Sequence, residues 1–320
     1  MTTPFLPGTA LCLTMNPSVD VSTHAPSVVP ADKLRCGPAQ REPGGGGLNV
    51  ARVVQRLGGQ ASAIYPAGGP GGAWLDAHLL EIGLPARRIP IAGETRENFT
   101  VQALDSGAEY RFVLPGPTLS EPEWQACLDA IDALPEPPAF LVASGSLPPG
   151  VPADFYARVT QRARRRGIRV ILDSSGSALA AGLGEGVFLV KPNLRELGEL
   201  LGEALDQPAR WRGAAQQLVD AGQAEVVALS LGERGALLVT RDQAWQAAAL
   251  PITLASSVGA GDSFVGAMTW ALQAGLSLPD AFAWGVAAGS AALITPGTGL
   301  CRLADIQRLR SQVSVQALVP

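Results

Sequence analysis

The feature that most constrains the fold is an alternation of apolar and helical segments from residue 139 onward. Short runs rich in Val, Ile and Leu lie at 139–143, 168–172, 187–190 and 225–230. Stretches with helical character separate them near 152–166, 194–202 and 208–221. Continuous apolar strands alternating with helices predict an α/β domain of three layers, α/β/α, around a mostly parallel central sheet. In such folds ligands bind at the carboxyl ends of the strands.

A second, smaller sheet is predicted from the front half of the chain. Runs 98–104 and 110–114 have strand character, and Asp-Ser-Gly at 105–107 is a turn signal between them. Together with parts of the segment near 20–42, the segment near 95–115 is expected to form a β-sheet lid beside the main sheet. No composition break marks a linker, so we expect residues 1–320 to form a single domain.

Charge and hydropathy exclude two classes of partner. The net charge is −4, which argues against nonspecific binding to nucleic acid. The basic run 162–166 is therefore interpreted as the solvated last turn of a helix. The uncharged segments 263–279 and 281–301 contain Gly, Ser, Thr or Pro, so they are interpreted as buried helices and no membrane partner is expected.

The cysteines and the N-terminus favour a cytoplasmic protein. The four cysteines are far apart and have neither metal-knuckle nor redox spacing: Cys12, Cys36, Cys127 and Cys301. Reduced thiols are the default for this pattern. The first residues lack a basic region, and Pro4 and Pro7 interrupt a short apolar stretch, so a signal peptide is not predicted.

The strongest motif for chemistry is Ser-Val-Gly-Ala-Gly-Asp-Ser at 257–263, just before a predicted helix. Gly259 and Gly261 allow a tight turn that points backbone N–H groups outward, and the helix start adds its positive dipole end. The combination predicts a phosphate-binding hole with Asp262 beside it. An Asp that only caps a helix is the alternative interpretation.

Two further motifs follow predicted strands. Asn193 and Glu196 lie three apart after the strand at 187–190, where their oxygens can bind Mg²⁺ directly or through water. A helix-capping box is the alternative, and both can hold at once. The segment 230–236 carries two glycines that permit close approach of a nucleotide, although an ordinary hairpin turn explains it equally well.

Near the N-terminus, four consecutive glycines at 44–47 precede an amphipathic helix predicted at 48–57. Their cost in backbone entropy is justified where a ligand approaches the main chain, and Asn49 can then bond sugar hydroxyls. A flexible loop is the alternative. Asp20, after an early strand, can accept two hydroxyl hydrogen bonds or can simply occupy a turn.

Cations are concentrated in the two predicted lid segments. They are Lys33, Arg35, Arg96 and Arg111. Converging on one lid, they would bind a phosphorylated sugar, because Arg recognises phosphate with two parallel hydrogen bonds. The alternative is that they are scattered surface charges.

Five motifs in this order resemble the ribokinase-like (PfkB) family of carbohydrate kinases. They are 44–49 with the following Val-Ala, Asp-Ser-Ser-Gly at 173–176, and the segments 191–196, 230–236 and 259–263. Within the family, 16–20, 95–98 and 144–150 resemble the sugar-phosphate branch, and 33–36, 42–49 and 110–112 resemble its minor bacterial 6-phosphofructokinases. Many 1-phosphofructokinases and tagatose-6-phosphate kinases carry Lys where this chain has Gly46, which favours fructose 6-phosphate.

The resemblance implies a ribokinase-like fold and an ATP- and Mg²⁺-dependent kinase that makes fructose 1,6-bisphosphate. It implies a catalytic base with its anion hole at Asp262, Gly259, Ala260 and Gly261. It implies sugar contacts at Asp20, Gly45, Gly46, Asn49 and Ser144, and phosphate contacts at Lys33, Arg96 and Arg111. It implies nucleotide contacts at Lys191, Asn193, Ser230, Gly232 and Gly235, with Asn193 and Glu196 organising Mg²⁺.

The family also implies a homodimer through the lid and a K⁺ loop formed by Ser256, Val258 and Gly297. Thr295 and Gly299 depart from Asn and Arg of the nearest relatives, which weakens the K⁺ expectation. The alternatives for activity are a tagatose-6-phosphate kinase, a 1-phosphofructokinase and, from another class, a noncatalytic sugar-phosphate or nucleotide sensor on the same fold. A Rossmann dehydrogenase is disfavoured because no G-x-G-x-x-G follows the first strand.

Overall fold

Helices on both faces of a ten-stranded sheet dominate residues 8–318, which are the residues that the computed structural model describes. The strands of this part of the chain are β1 (Ala10–Leu13), β2 (Ser18–Ala25), β3 (Gln40–Gly44), β4 (Ala61–Ala67), β5 (Ala86–Pro90), β6 (Arg96–Ala103), β7 (Glu109–Phe112), β8 (Phe140–Ser144), β9 (Arg169–Asp173), β10 (Val187–Val190), β11 (Ala224–Ser230), β12 (Ala236–Val239), β13 (Ala244–Ala247) and β14 (Val315–Leu318). The α-helices are α1 (Gly46–Arg56), α2 (Gly69–Glu81), α3 (Glu121–Asp132), α4 (Phe155–Arg165), α5 (Gly176–Leu183), α6 (Leu194–Leu201), α7 (Pro208–Asp220), α8 (Ala260–Gln273), α9 (Leu278–Leu293) and α10 (Leu303–Arg310).

The main sheet runs in the order β14-β13-β12-β11-β10-β9-β8-β1-β4-β5. All pairs from β5 to β11 are parallel, whereas β12, β13 and β14 add an antiparallel edge. The predicted mostly parallel sheet is therefore confirmed. The four apolar runs that predicted it correspond to β8, β9, β10 and β11.

Alternate strand residues fill two apolar layers, one on each face of the sheet. In β1, Leu11 and Leu13 belong to the layer that also contains Trp124 of α3. Cys12 points the other way, into a layer that contains Leu48 of α1 and Phe282 of α9. This period of two explains why the central strands are apolar at every position: both faces are covered by helices.

The small sheet, called the lid sheet below, has the order β3-β2-β6-β7. The predicted hairpin is present in it as β6 and β7. Strand β2 pairs in parallel with β6, and Asp20 stands opposite Asn98. On the other side Asp20 stands opposite Glu42 of β3. Because residues two apart in a strand share a face, Asn98 and Arg111, which is opposite Thr100, lie on the same face as Asp20.

The start of helix α4 differs from the prediction. Helix α4 begins at Phe155, three residues later than predicted, because a turn in which the Phe155 N–H donates to Pro152 O precedes it. None of the helices within 8–318 is long and apolar enough to cross a bilayer. The segment containing Pro4 and Pro7 lies outside the described residues.

Helix α1 begins so close to β1 that one of its glycines has no room for a side chain. A Cβ on Gly47 would lie 2.5 Å from Leu13 O and 2.7 Å from Leu13 C. We expect Gly47→Ala to destabilise the protein by about 1–3 kcal/mol, because rigid backbone atoms must move. Gly213 in α7 is the matched control, since a Cβ there meets nothing within 4 Å.

Urea unfolding of the two variants measures the difference. Gly213→Ala is expected to be neutral or to stabilise the protein by up to about 1 kcal/mol, the helix propensity gained on replacing Gly. Equal effects of the two substitutions would show that the close approach of α1 to β1 does not constrain the fold.

Candidate active site

Polar side chains gather where the parallel strands end. Ser144 and Asp173 are the last residues of β8 and β9 and stand opposite each other in register. Lys191 directly follows β10, and Ser230 ends β11. Because all these carboxyl ends meet at one edge of the sheet, the chain builds its polar cleft there.

Helix α8 delivers Asp262 to this edge. Its N-cap Gly259 has φ 71°, in the left-handed region that glycine adopts without strain, and Asp262 lies in the first helical turn. Asn49 Nδ2 donates to Asp262 Oδ2 over 2.8 Å. Burial, and next the negative charge of Asp173, raise the pKa of Asp262 to about 6, although the Asn49 hydrogen bond and Lys191 act in the opposite direction. A carboxyl with a pKa close to neutral suits a general base.

Lys191 forms a buried ion pair beside the glycine turn. Its Nζ lies 3.1 Å from Asp173 Oδ1. A Cβ on Gly261 would be 3.4 Å from that Nζ, so the ammonium group lies against the backbone at the start of α8. Burial alone would lower the pKa of Lys191, but Asp173, together with Glu196 and Asp262, raises it above its usual value. The site therefore keeps a fixed positive charge next to the predicted phosphate hole.

A cavity of about 640 Å³ opens next to this turn. Its lining includes the predicted nucleotide residues Lys191, Asn193, Ser230, Gly232 and Gly235, as well as Ala260 and Gly261. The lining also has an apolar part, here called the apolar wall, formed by Leu250, Ile252, Leu254, Phe264, Val286 and Leu293. A lining with both polar and apolar groups suits a nucleotide, whose phosphates need hydrogen-bond donors and whose base needs apolar contacts.

The segment 230–236 is compatible with both interpretations of its sequence, a hairpin turn and a segment that approaches a nucleotide. It connects β11 to the antiparallel β12 through a short 3₁₀ turn at Gly232–Arg234, so it is a hairpin connection. It also lines the cavity. Asn193 forms an isolated parallel bridge with Ser230, which holds the two nucleotide segments together.

On the lid side, Asp20 is held by hydrogen bonds from its own strand, β2, and from the neighbouring strand β6. Ser18 Oγ donates to Asp20 Oδ1 over 2.6 Å and Asn98 Nδ2 donates over 2.9 Å. A Cβ on Gly44 would lie 2.3 Å from Asp20 Oδ2, so only glycine fits against this carboxylate. The charge of Asp20 also contributes to raising the pKa of Asp262, which is consistent with both carboxylates facing one cleft.

The glycine run packs tightly against the end of β8. A Cβ on Gly46 would lie 2.2 Å from Ser144 Oγ, and Gly45, with φ 107°, is the N-cap of α1. Gly45, Gly46, Asn49 and Ser144 thus lie around the start of α1, near Asp262. The structure brings these predicted sugar contacts together.

The cations predicted to bind the phosphate of the sugar differ in exposure and bonding. Arg96 donates to Asn16 O over 2.8 Å and to Leu114 O over 2.5 Å, and burial lowers its pKa although Asp20 opposes this. Arg111 is exposed on the Asp20 face of the lid sheet, and Lys33 is exposed in the irregular segment between β2 and β3. Of the three, Arg96 is anchored near Asp20 and Arg111 shares the Asp20 face, whereas Lys33 is exposed.

Comparison with known proteins decides the family. The pfkB family carbohydrate kinase profile matches residues 13–305. The chain belongs to the pfkB family of carbohydrate kinases. The ATP-dependent 6-phosphofructokinase isozyme 2 of Mycobacterium tuberculosis is 48% identical to this pfkB-family chain over 298 residues, covering 93% of the chain and 88% of the relative. The Escherichia coli protein of the same name is 45% identical over 303 residues, covering 94% and 98%.

Solved structures show the same fold. The pfkB-family chain matches phosphofructokinase-2 from Escherichia coli in complex with fructose-6-phosphate with a TM-score of 0.89 and 42% identity, covering 95% of this chain and 98% of the other. The same Escherichia coli enzyme has been solved in complex with potassium, with a TM-score of 0.90, and in a tetrameric inhibited form, with a TM-score of 0.89. Both cover 95% of this chain and 98% of the other at 43% identity. The predicted ribokinase-like fold is confirmed.

The Mg²⁺ prediction can be compared with the geometry of Asn193 and Glu196. They form a full capping box: Asn193 Oδ1 accepts from the Glu196 N–H over 2.9 Å, and Glu196 Oε2 accepts from the Asn193 N–H over 2.9 Å. The second carboxylate oxygen of Glu196, Oε1, takes no part in these bonds and lies 3.9 Å from Arg195 Nη2. Within 8–318 no group of three or more acidic, His or Cys side chains is arranged to hold a metal. One carboxylate plus phosphate and water oxygens is a donor set that suits Mg²⁺.

The residues of the predicted K⁺ loop lie in two segments, one before α8 and one after α9. Ser256 Oγ accepts from the Val258 N–H over 3.2 Å, and Gly297 has φ 67° and approaches Ser22. Thr298 Oγ1 is buried without a hydrogen-bond partner. An orphaned oxygen on the residue that follows Gly297 fits a site that a cation would complete.

Sequence reasoning missed some residues of this site. The sequence marks Asp173 only as part of the motif at 173–176, although an acidic residue at the end of a predicted strand is itself a signal of a site residue. The apolar wall, with Leu250 and Phe264, carried no signal, because apolar residues in a loop and on a helix do not reveal that they line a cavity.

Proposed function

We propose that this pfkB-family protein transfers the γ-phosphoryl group of MgATP to the C1 hydroxyl of fructose 6-phosphate, giving fructose 1,6-bisphosphate and ADP. The observation that carries the proposal is the position of Asp262. This carboxyl has a raised pKa, follows directly after Ala260 and Gly261 of the cavity lining, and accepts a hydrogen bond from Asn49, a predicted sugar contact.

Asp262 accepts the proton of the attacking sugar hydroxyl as the oxygen bonds to the γ-phosphorus and the bond to the ADP oxygen breaks. Phosphoryl transfer demands little covalent work from the protein, so alignment and charge stabilisation dominate. The N–H groups at Gly259–Gly261 and the ammonium of Lys191 stabilise the charge on the transferring group. The lid sheet excludes water, which would otherwise compete as the nucleophile.

Asp20 and Asn49 orient the sugar ring, with Gly45, Gly46 and Ser144 providing a backbone-lined floor. Lys33, Arg96 and Arg111 bind the 6-phosphate. Arg96 must exchange at least one of its bonds to backbone carbonyls to do so, or supply its Nε–H, which is buried without a partner. A Cβ on Gly46 would clash with Ser144 Oγ, so this position cannot hold the Lys of many 1-phosphofructokinases and tagatose-6-phosphate kinases unless Ser144 moves.

Magnesium would be held by Glu196, with Asn193 supporting it, and by the phosphates of ATP. When bound, Mg²⁺ neutralises phosphate charge. Potassium would bind the loop of Ser256, Val258 and Gly297, with Thr298 as a candidate oxygen donor, and would stabilise the N-terminal turn of α8. The potassium complex of the Escherichia coli relative supports potassium binding by this chain.

A homodimer through the lid is proposed because the face opposite Asp20 exposes aromatic residues. Phe99 stands opposite Phe112 in the β6–β7 pair, and Tyr110 lies on the same face. Phe99 is 42% exposed and Phe112 is 57% exposed. Exposed apolar surface of this kind marks an interface. The Escherichia coli relative also occurs as a tetramer in its inhibited form, so a dimer need not be its largest assembly.

The four cysteines are free thiols, which supports function in the reducing cytoplasm. A noncatalytic sensor on this fold is the second candidate, since its binding residues would be the same. It is disfavoured by the raised pKa of Asp262, which a sensor does not require.

The experiment that tests the proposal is ³¹P NMR of the purified protein with MgATP and fructose 6-phosphate. Transfer to the sugar converts the γ-phosphate signal into a second phosphomonoester signal. Release of inorganic phosphate alone would show hydrolysis and overturn the proposal, and an unchanged spectrum would favour the sensor.

The raised pKa of Asp262 leads to a pH prediction. The base works only when ionised, so kcat/KM should fall as the pH drops through about 6 and level off above it. The 6-phosphate of the substrate also ionises near pH 6. Fructose 6-phosphate must therefore be titrated by NMR alone and its fraction divided out. A corrected profile that is flat from pH 5 to 8 would contradict the assignment of the base.

A further inference from the structure

A buried hydrogen-bonded chain leads from the lid sheet to Asp262. Arg52 lies in α1, one turn after Asn49, and is only 3% exposed. Its Nη1 donates to Asn49 Oδ1 over 3.3 Å and to Pro43 O over 2.8 Å. Its Nη2 pairs with the Glu42 carboxylate of β3. Asn49 in turn donates to Asp262.

The chemistry of arginine fixes which groups donate and which accept along this series of hydrogen bonds. A guanidinium can only donate hydrogen bonds, so the Asn49 side chain must turn its oxygen toward Arg52. The amide nitrogen of Asn49 then faces Asp262 and donates to it. With the amide reversed, its oxygen would face the carboxylate and repel it. Arg52 therefore selects which end of the Asn49 amide meets the catalytic base.

Glu42 fixes Arg52 in turn and links the chain to the lid. In the β2–β3 pair Glu42 stands directly opposite Asp20. The residue that anchors Arg52 is therefore the direct neighbour of Asp20, which is proposed to bind the sugar. A buried guanidinium needs such a partner, because a buried charge without one is costly. The position of β3 is thereby coupled to the orientation of Asn49.

We propose that Arg52, anchored by Glu42, is a positioning residue that holds the Asn49 amide with its nitrogen toward Asp262 and so keeps the base ready to accept a proton. The inference rests on the proposed function. Other charged groups that act on Asp262 are Asp173, Lys191 and Asp20, and none of them is altered in the test below.

The test compares corrected pH profiles of kcat/KM for the wild type and Arg52→Met with fructose 6-phosphate. Without Arg52 to hold its oxygen, the Asn49 amide is no longer fixed as a donor to the charged Asp262. This loss should lower kcat/KM at pH 7 by about 10- to 100-fold. It should also move the acid limb to higher pH, because the base loses the hydrogen bond that favours its ionised form. The same substrate is used for both proteins, so its own ionisation cancels.

Asn49→Leu provides the control for the route. If Arg52 acts through Asn49, Arg52→Met should add no further displacement of the acid limb in the Asn49→Leu protein. A displacement that persists there, or an unmoved limb in Arg52→Met despite a lower Tm, would overturn the proposal and leave Arg52 as a structural residue only.

Arg52→Lys and Glu42→Gln decide the matter if Arg52→Met does not fold. Lys keeps the charge but supplies a less directional donor, so its acid limb should move partway. Gln at position 42 keeps a neutral acceptor for Arg52, so its limb should move less than that of Arg52→Lys. Unmoved limbs in both variants would contradict the proposal. A wild type without turnover would instead refute the proposed function.

Discussion

Asp262→Asn is expected to lower kcat by about 10²- to 10⁴-fold, which is the usual contribution of a general base. Asn has nearly the same shape and can still meet Asn49, but it cannot accept the proton of the sugar hydroxyl. Binding of nucleotide should change little, because the cavity lining is intact. Steady-state ADP release with saturating MgATP and fructose 6-phosphate measures the effect.

Asp242→Asn, in the exposed turn between β12 and β13, is the matched control and should keep wild-type turnover. Melting curves check the fold of the active-site variant. A carboxyl whose pKa is raised on folding disfavours the folded state when it is ionised, so this penalty appears as the pH rises from about 4 through 6. Asp262→Asn should therefore melt no lower than the wild type at pH 8. Near-wild-type turnover in this variant would refute the assignment of the base.

Arg111→Ala is expected to lower kcat/KM for fructose 6-phosphate by about 10- to 100-fold, the worth of a charge-assisted hydrogen bond to phosphate. Most of the loss should be in KM, because the 6-phosphate lies at the far end of the sugar from the reacting C1 hydroxyl. Activity toward free fructose, however weak, should not change. Initial rates over a range of both sugars measure this.

Arg41→Ala is the matched control for this change. Arg41 lies in β3 of the same lid sheet but stands opposite Val21, which places it on the face away from Asp20. Its partner is Glu97, at 3.8 Å, and the Arg41 side chain is 54% exposed, so little stability depends on this ion pair. Equal losses for Arg41→Ala and Arg111→Ala would mean that net charge, and not a phosphate site, is responsible.

The central strands could be predicted because they are apolar on both faces, whereas β4, β5 and the antiparallel edge could not. Strand β4 has the sequence Ala-Ser-Ala-Ile-Tyr-Pro-Ala, with Pro66 near its end, and alanine and proline both have low strand propensity. Hydrogen bonding to β1 imposes the strand on this segment. Strands β13 and β14 are short and partly exposed, so no local pattern distinguished them.

Some residues of the candidate site could likewise be predicted from the sequence, and others could not. Asp262, Gly259 and Gly261 were predictable because a glycine turn at a helix start has a chemical meaning within seven residues of sequence. Arg52 was not, because only the tertiary fold brings β3 against α1 and gives the arginine its partner. Arg96 shows the opposite limit, since its sequence position predicted a free cation and the structure ties it to backbone carbonyls.

The most direct test of the account is ADP release by the purified protein with MgATP, compared for fructose 6-phosphate, tagatose 6-phosphate, fructose 1-phosphate and free fructose. The account predicts turnover with a strong preference for fructose 6-phosphate. Preference for another sugar phosphate would keep Asp262 as the base but contradict the substrate. Preference for free fructose would contradict the phosphate site of Lys33, Arg96 and Arg111, and no turnover with any sugar would contradict the kinase itself.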